Sequence, residues 1–211
     1  MRSALLAAVL GVLLAPAPAS AFVFGQTTGA TPLPMNGHLA GGYVVLSQDA
    51  LGAMGQLRLS LYPEIDFGFQ GGLVRNDVGS ASRTSLRLGV DFKGRVMSAN
   101  ESSPFDVSLG AALGVDTAED FTSVAVGPVV VVSRNIELAS GQKLMPYVGL
   151  GLLMSRFDVN DEDRNDVSVP VRIGADWAMN PGLRLVGEVQ LNLGDAFRDD
   201  LALMLGVNLP F

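Results

Sequence analysis

The chain ends on the stretch LALMLGVNLPF, residues 201–211, and this stretch decides the fold. Reading back by twos from Phe211 to Leu201, every position holds a bulky apolar residue. The positions between them are smaller or more polar. Successive side chains of a β-strand point to opposite faces. The pattern therefore predicts a terminal strand with one face for hydrocarbon and one face for a different environment.

The amino terminus predicts export from the cytoplasm. Arg2 precedes an apolar run over residues 4–14, which is followed by Ala19-Ser-Ala21. A charged start, a short apolar run and an A-x-A site are typical of a secretory signal peptide. A membrane-spanning helix needs about 20 apolar residues, and this run is shorter. We predict a signal peptide over residues 1–21, cleaved after Ala21; an uncleaved amino-terminal anchor is the alternative.

Composition excludes several classes of protein. The chain has no Cys, so an exported fold has no disulfides and depends on its sheet and core. The formal net charge is −7, and loss of Arg2 with the signal peptide makes it −8. This acidic balance argues against nucleic-acid binding, which needs a basic patch. Residues 22–35 are rich in Gly, Thr and Pro and predict a flexible leader, with a lumen plug as the alternative.

Ten strand-like runs follow the leader. They lie near 37–47, 54–62, 64–73, 83–93, 105–116, 121–133, 144–155, 167–178, 182–193 and 201–211. Each is about as long as a tilted strand that crosses the hydrocarbon. Tight turns are predicted at Pro63 and Pro181, and longer polar loops at 74–82, 156–166 and 194–200. Two connections, 94–104 and 134–143, are long for periplasmic turns, so eight or twelve strands stay open as alternatives.

The two faces of these runs differ in charge. One face of the second to ninth runs is apolar and carries no charged residue, as in Leu86, Leu88, Val90 and Phe92. The facing of the first run stays open. The opposite face carries charged residues that we predict to form ion pairs in a lumen: Arg58, Asp66, Arg87, Asp91, Arg172, Asp176, Arg184 and Glu188. Small residues on the same face of 105–116 and 144–155 leave room for these long side chains, which predicts a filled lumen.

A hairpin about Asn180 and Pro181 whose paired numbers sum to 360 sets Arg172 opposite Glu188, and Asp176 opposite Arg184. A soluble periplasmic β-sandwich predicts the same alternation of faces. Aromatic placement favours the membrane, because rings gather at one end of the strands as in a membrane-interface girdle. The predicted interface aromatics are Tyr62, Phe92, Phe105, Tyr147, Trp177 and Phe211.

No catalytic set is apparent in the sequence, and we predict neither an enzyme nor a cofactor. The only histidine, His38, has no Ser and carboxylate at motif spacing. The spacing of Asp158, Asn160 and Glu162 resembles the start of an EF-hand loop, but the Gly and the closing Glu of such a loop are missing. We interpret this stretch as a solvated acidic loop. Sharing divalent cations with lipopolysaccharide is a further hypothesis for it.

The closing strand with its terminal aromatic resembles that of bacterial outer-membrane β-barrels. The pattern of the whole exported chain is similar to small barrels of the OmpA/OmpX/OmpW type. The resemblance implies an all-β, closed antiparallel up-and-down transmembrane β-barrel over residues 36–211, located in the outer membrane. Its implied surroundings are lipid and lipopolysaccharide, and the barrel-assembly machinery would read the strand that ends in Phe211. We expect a monomer.

A structural or surface-interaction role with a filled lumen is the function that this sequence favours. A narrow porin-like channel for ions or small solutes is the first alternative. The second alternative is a soluble periplasmic β-sandwich that binds a ligand.

Overall fold

The computed structural model describes residues 27–47, 50–78, 81–119, 121–159, 162–194 and 201–211. They form twelve β-strands: β1 (His38–Ser47), β2 (Ala50–Tyr62), β3 (Ile65–Val78), β4 (Ala81–Met97), β5 (Asp106–Ala118), β6 (Phe121–Ser133), β7 (Ile136–Glu137), β8 (Lys143–Gly151), β9 (Leu153–Val159), β10 (Glu162–Asn180), β11 (Leu183–Gly194) and β12 (Leu201–Pro210). Within these ranges, no helix is long and apolar enough to cross a membrane.

The strands form one antiparallel sheet that closes on itself. β1 pairs with β2 and also with β12, from Leu39 opposite Pro210 to Ser47 opposite Ala202. Two of the twelve strands add no position to the ring. β8 and β9 both lie between β6 and β10 as successive halves of one ring strand, and the two-residue β7 pairs with β8 outside it. The predicted closed barrel with ten ring strands is therefore confirmed.

Prolines explain why one ring strand is split into β8 and β9. The break falls at Leu152, beside Pro128 of β6 and Pro170 of β10. Proline has no N–H to donate to a ladder, so it is confined to sheet edges and irregular points. At this point the Leu152 N–H still donates to the Pro128 carbonyl, at 3.1 Å. The ring thus stays closed across the break.

The barrel has its charged wall residues mainly in the lumen, and its outside is apolar. Leu88, Leu150 and Leu205 are each about half exposed on the outer face, while Arg58 and Arg172 are buried inside. The facing of β1, left open by its sequence, is now defined. Val44 and Leu46 point outward, and Tyr43 and Val45 point into the lumen. β1 lacks a clear pattern because glycines occupy its middle positions.

The strands extend further than predicted at the end away from the termini. We call this end the distal end, and the end that carries His38 and Phe211 the terminal mouth. The predicted loops 74–82 and 156–166 are instead the tips of the hairpins β3–β4 and β9–β10, which pair up to Val78–Ala81 and Val159–Glu162. Polar side chains do not disrupt a ladder, which depends on main-chain bonds. Polarity in these stretches therefore does not mark the end of a strand.

The structure describes part of the predicted flexible leader. Residues 22–26 and the predicted cleavage site at Ala21 lie outside the described residues. Residues 27–33 enter the barrel from the terminal mouth, and Thr27, Thr28 and Ala30 are buried there. This part of the leader therefore lies in the lumen. We call residues 27–33 the lumen segment.

Candidate functional site

The lumen contains a compact ion-pair cluster centred on Arg58. Its Nη2 and Nε donate to Asp66 Oδ1 at 2.6 and 3.2 Å. Its Nη2 also donates to Asp91 Oδ1 at 2.6 Å, and its Nη1 donates to Asp91 Oδ2 at 3.2 Å. A guanidinium presents its N–H groups in a planar fork, so one Arg can bind two carboxylates at once. The cluster links β2, β3 and β4 inside the barrel.

Gly68 provides the space for this cluster. It lies opposite Arg58 on β2 and opposite Asp91 on β4. A Cβ added at Gly68 would lie 2.3 Å from Asp91 Oδ2 and 2.6 Å from Arg58 Nη1. Both distances are too short for carbon, so a side chain at this position displaces the ion pairs.

Gly68→Ala should destabilise the barrel by about 1–3 kcal/mol, because an overpacked site forces its neighbours to move. Gly42→Ala is the matched control, since a Cβ at Gly42 meets nothing within 4 Å. We expect the control to be neutral or slightly stabilising, because Gly in a strand is about 0.5–1 kcal/mol worse than Ala. Urea unfolding of both variants in lipid vesicles measures the difference. Equal unfolding midpoints would show that Gly68 has no steric role.

A second ion pair lies nearer the distal end. Arg87 and Asp116 are direct cross-strand neighbours on β4 and β5, with Nε and Oδ2 2.8 Å apart. Both side chains are buried. Our sequence-based set contained Arg87 but not Asp116. The signal was present, because Asp116 continues the lumen-facing alternation of Ser108, Ala112 and their neighbours.

Lys93 is a further lumen charge that sequence reasoning missed. It is buried, and its Nζ lies 3.7 Å from Asp66 Oδ2. The same ammonium donates to Thr28 Oγ1 at 2.9 Å and to the Gly29 carbonyl. The predicted outward facing of Phe92 already implies that Lys93 points inward. Lys93 joins the Arg58 cluster to the lumen segment.

The predicted register of the β10–β11 hairpin is wrong by two residues. Arg172 lies opposite Gln190, and Ala178 lies opposite Arg184. The hairpin turns at Pro181 and Gly182, which shifts the pairing by three, and an irregularity between Ala178 and Asn180 reduces the shift to two. A shift of two keeps every side chain on its predicted face.

This shift changes the partners on the lumen face. Arg184 Nε still donates to Asp176 Oδ1, diagonally across the strands, at 2.8 Å. Arg172 Nε donates to Gln190 Oε1 at 3.2 Å. Glu188 accepts a hydrogen bond from the Tyr147 hydroxyl at 2.8 Å. Arg172 and Glu188 are thus not direct opposites, and each has another partner.

Two tyrosines cross the middle of the lumen. Tyr147 lies opposite Gly174, whose missing Cβ leaves space for the phenol ring. Tyr43 lies opposite Gly206 in the same way, and its hydroxyl donates to Asn208 Oδ1. Tyr147 was predicted at the membrane interface, and this is wrong, because its ring is only 2% exposed. The outward facing of Val148 already requires Tyr147 to point inward.

The other five predicted interface aromatics lie on the outside. Tyr62, Phe92, Phe105 and Phe211 are between 44% and 72% exposed, and Trp177 is partly exposed. The Trp177 Nε1 donates to Gln142 Oε1 at 3.3 Å. Their contact with lipid headgroups stays a prediction.

The lumen segment is held by hydrogen bonds to side chains of the barrel wall. The main-chain N–H groups of Thr27, Ala30 and Leu33 donate to the wall at 2.9–3.3 Å, and the carbonyls of Thr27, Gly29 and Ala30 accept from it. The wall partners are Glu188, Ser133 and Asp66 for the N–H groups, and Asn208, Lys93 and Ser108 for the carbonyls. Threonine hydroxyls add bonds to Gln56 and Asp106, each at 2.7 Å. The segment therefore contacts most of the ring.

A cavity of about 680 Å³ opens at the terminal mouth. The lumen segment and residues 34–35 form one side, and Asp176, Arg184 and Lys143 lie on the other. The segment therefore separates this cavity from the interior of the barrel.

Among the described residues, neither His38 nor the acidic stretch near Asp158 forms part of a reactive site. His38 stacks on Phe211 with ring centroids 5.5 Å apart, at the seam between β1 and β12. Asp158 lies in β9 and Glu162 begins β10, while Asn160 lies outside the described residues. A paired hairpin differs from the coiled loop of an EF-hand. In the described part of the chain, no group of three or more acidic, His or Cys residues is placed to hold a metal ion.

Comparison with known proteins identifies the fold. Neither family models nor curated proteins match this sequence. The β-domain of the Bordetella autotransporter BrkA matches the structure with a TM-score of 0.54 at 13% identity, over 83% of this chain and 99% of that domain. A bacterial polysaccharide outer-membrane secretin gives 0.50 at 11% identity, over 79% of this chain and 57% of the secretin. At such identities the likeness concerns the fold alone. Its closed ring and these neighbours together give this chain the fold of a bacterial outer-membrane β-barrel protein.

Proposed function

We propose that this chain is an integral outer-membrane barrel with a closed lumen and a structural or surface-interaction role. The observation that carries this proposal is the occupied lumen. Ion-paired side chains at Arg58, Arg87 and Asp176 occupy the lumen next to the wall, and the lumen segment occupies its centre. This arrangement supports a lumen without an open path for solutes.

The outer face supports the membrane-spanning part of the proposal. Leucines and valines around the ring stay exposed, for example Leu73 at 57%, Leu113 at 41% and Leu193 at 53%. Contiguous exposed apolar surface of this extent is rare on monomeric soluble proteins. Closure also fits a lipid environment, because lipid cannot satisfy the main-chain groups of an open sheet edge. Lipid and lipopolysaccharide are the proposed surroundings.

The remaining parts of the proposal concern export, assembly and contacts. Export would follow cleavage after Ala21, and the barrel-assembly machinery would recognise β12 with Phe211, which is 72% exposed. The barrel acts as a monomer without an enzymatic activity. Its surface role would belong to the distal hairpins, whose outward residues include Arg75 and Asp158.

A narrow channel is the second candidate, and unsatisfied polar atoms favour it. Among the described residues, Asp116 Oδ1, Arg172 Nη2 and Asp176 Oδ2 are buried and have no hydrogen-bond partner. Buried polar atoms are normally satisfied by protein or by ordered water. A continuous row of water molecules through the lumen would satisfy these atoms. Ions could pass along such a row.

Conductance in planar bilayers distinguishes the two candidates. The protein starting at residue 22, folded in detergent and added to a bilayer, should give no stepwise current, because the lumen segment blocks the centre. Regular conductance steps from this protein would support the narrow channel and contradict the closed barrel. A heat-modifiable gel shift of the same sample is the control that the barrel was folded.

A further inference from the structure

We propose that the lumen segment is a removable plug: the barrel binds it as a peptide, and its withdrawal opens the lumen to ions and small solutes. The inference rests on the proposed closed state of the intact barrel. It goes beyond that proposal by assigning the closure to one segment and by making it reversible.

The segment is bound chiefly through its main chain. Six of its hydrogen bonds use N–H or carbonyl groups, and the side chains involved are small: Thr27, Thr28 and Thr31. Main-chain hydrogen bonds also supply affinity where a peptide docks along a sheet edge. Here the partners are side chains of the lumen, so the segment takes no place in the ladder. The lumen is thus a peptide-binding site that the chain itself occupies.

The ring does not depend on the segment. It closes through β1 and β12, which pair from Leu39 opposite Pro210 to Ser47 opposite Ala202. Residues 27–33 form no strand. The segment continues into the wall through a short turn, where the Gly37 N–H donates to the Pro34 carbonyl and the Asn36 N–H donates to the Ser60 carbonyl, both at 2.8 Å. Withdrawal therefore breaks side-chain contacts and leaves the ladder intact.

The segment occupies the place where a pore would be. Its partners lie on β2 to β6 and on β11 and β12, so its bonds radiate to most of the wall. Ala30 is completely buried against Val129, Val131 and Tyr147, next to the small residue Ala112. Withdrawal of this main chain leaves a gap at the centre of the lumen, which water and small ions can enter.

Withdrawal would also leave a polar lining. Lys93, Glu188 and Asp66 each contact the segment and would then face the gap. Water entering the gap can solvate these groups, which offsets the loss of their bonds to the segment. The open state is therefore accessible without leaving buried charges unsatisfied.

Charge introduced into the segment tests the proposal in the full chain. Ala30→Glu places a carboxylate at a completely buried position, so the lumen segment can no longer bind in the lumen. Met35→Glu is the matched control, with the same charge five residues further on at a position that is 58% exposed. In planar bilayers we expect Ala30→Glu to raise conductance at least about tenfold over the parent, as for a strong shift from closed to open. Met35→Glu should stay closed.

A peptide added in trans tests reversibility. A synthetic peptide of residues 22–35 should block the current of the Ala30→Glu barrel by occupying the vacated site. The same peptide carrying Ala30→Glu should leave the current unchanged. Block by both peptides would show that the lumen does not recognise this segment, and would overturn the proposal.

Each remaining outcome is also decisive. If Ala30→Glu keeps its heat-modifiable gel shift and stays closed, wall side chains close the barrel and the plug is refuted. If it loses the gel shift, the chain starting at residue 36 is tested in its place. Failure of that chain to fold would show the segment to be part of the core and would refute its removal. Conductance of the parent protein would contradict the proposed function as a closed barrel. The plug proposal is tested separately, by the difference in conductance between Ala30→Glu and the parent protein.

Discussion

Arg58→Met should lower the free energy of unfolding by about 3–5 kcal/mol, the usual cost of removing one partner from a buried ion pair. Arg58 is completely buried and binds both Asp66 and Asp91. Its loss leaves two carboxylates close together in the lumen without their shared cation. Urea unfolding of the barrel in lipid vesicles, followed by tryptophan fluorescence or by gel shift, measures the change.

Neutralising the carboxylates controls for the charge argument. The triple variant Arg58→Met, Asp66→Asn and Asp91→Asn removes the unpaired charges and should recover part of the lost stability. Exposed ion pairs contribute only about 0–1 kcal/mol. A single-variant effect within that range would mean that water solvates Arg58 and that the lumen is open, which contradicts the closed barrel.

Val90→Arg should destabilise the barrel by about 2–4 kcal/mol, because a charge on the lipid face at mid-depth must leave water. Val90 lies in the middle of the apolar part of β4 and is 44% exposed on the outer face. The same unfolding measurement in lipid vesicles gives the difference in free energy.

Val96→Arg is the matched control, in the same strand and at the terminal mouth, where the side chain is 61% exposed. Near the interface the cost falls to about 0–1 kcal/mol. The contrast is diagnostic, since surface substitutions in a water-soluble protein usually stay within about 0.5 kcal/mol at either position. Equal small effects at Val90 and Val96 would place the outer face in water.

Much of the ring could be predicted because lipid-facing strands repeat with a simple period. The run predicted at 121–133 coincides with β6, and that at 37–47 differs from β1 by one residue. Facing was readable wherever charges mark one side, as at Asp66 and Arg87. It was unreadable in β1, where Gly41 and Gly42 give neither face a preference.

The lumen segment could not be located from sequence because its partners are distant. Thr27 binds Glu188, and Asn208 binds the Thr27 carbonyl, across most of the chain. A stretch of Gly, Thr and Pro correctly predicts the absence of a strand. Absence of regular structure is not disorder when side chains of a surrounding wall satisfy the main chain.

The predicted register of β10 and β11 was wrong because of local turn geometry. The Arg58 ion pairs were not predicted because they depend on steric space at a glycine. A turn at Pro181 and Gly182 and an opposing irregularity near Ala178 together moved the predicted partners of β10 and β11 by two. The Arg58 cluster depends on the empty space at Gly68, which no charge pattern reveals. The geometry of this cluster depends on three neighbouring strands together, so the pattern of a single strand does not reveal it.

Membrane fractionation combined with gel mobility tests the central claim most directly. When the chain is expressed from residue 1, with its predicted signal peptide, in a Gram-negative host, the protein should stay in the outer-membrane fraction after a urea wash. It should dissolve only in detergent. An unheated sample should migrate differently from a boiled one, because the closed ring resists unfolding by the gel detergent. Recovery in the soluble periplasmic fraction, with no heat-dependent shift, would contradict a membrane-spanning barrel.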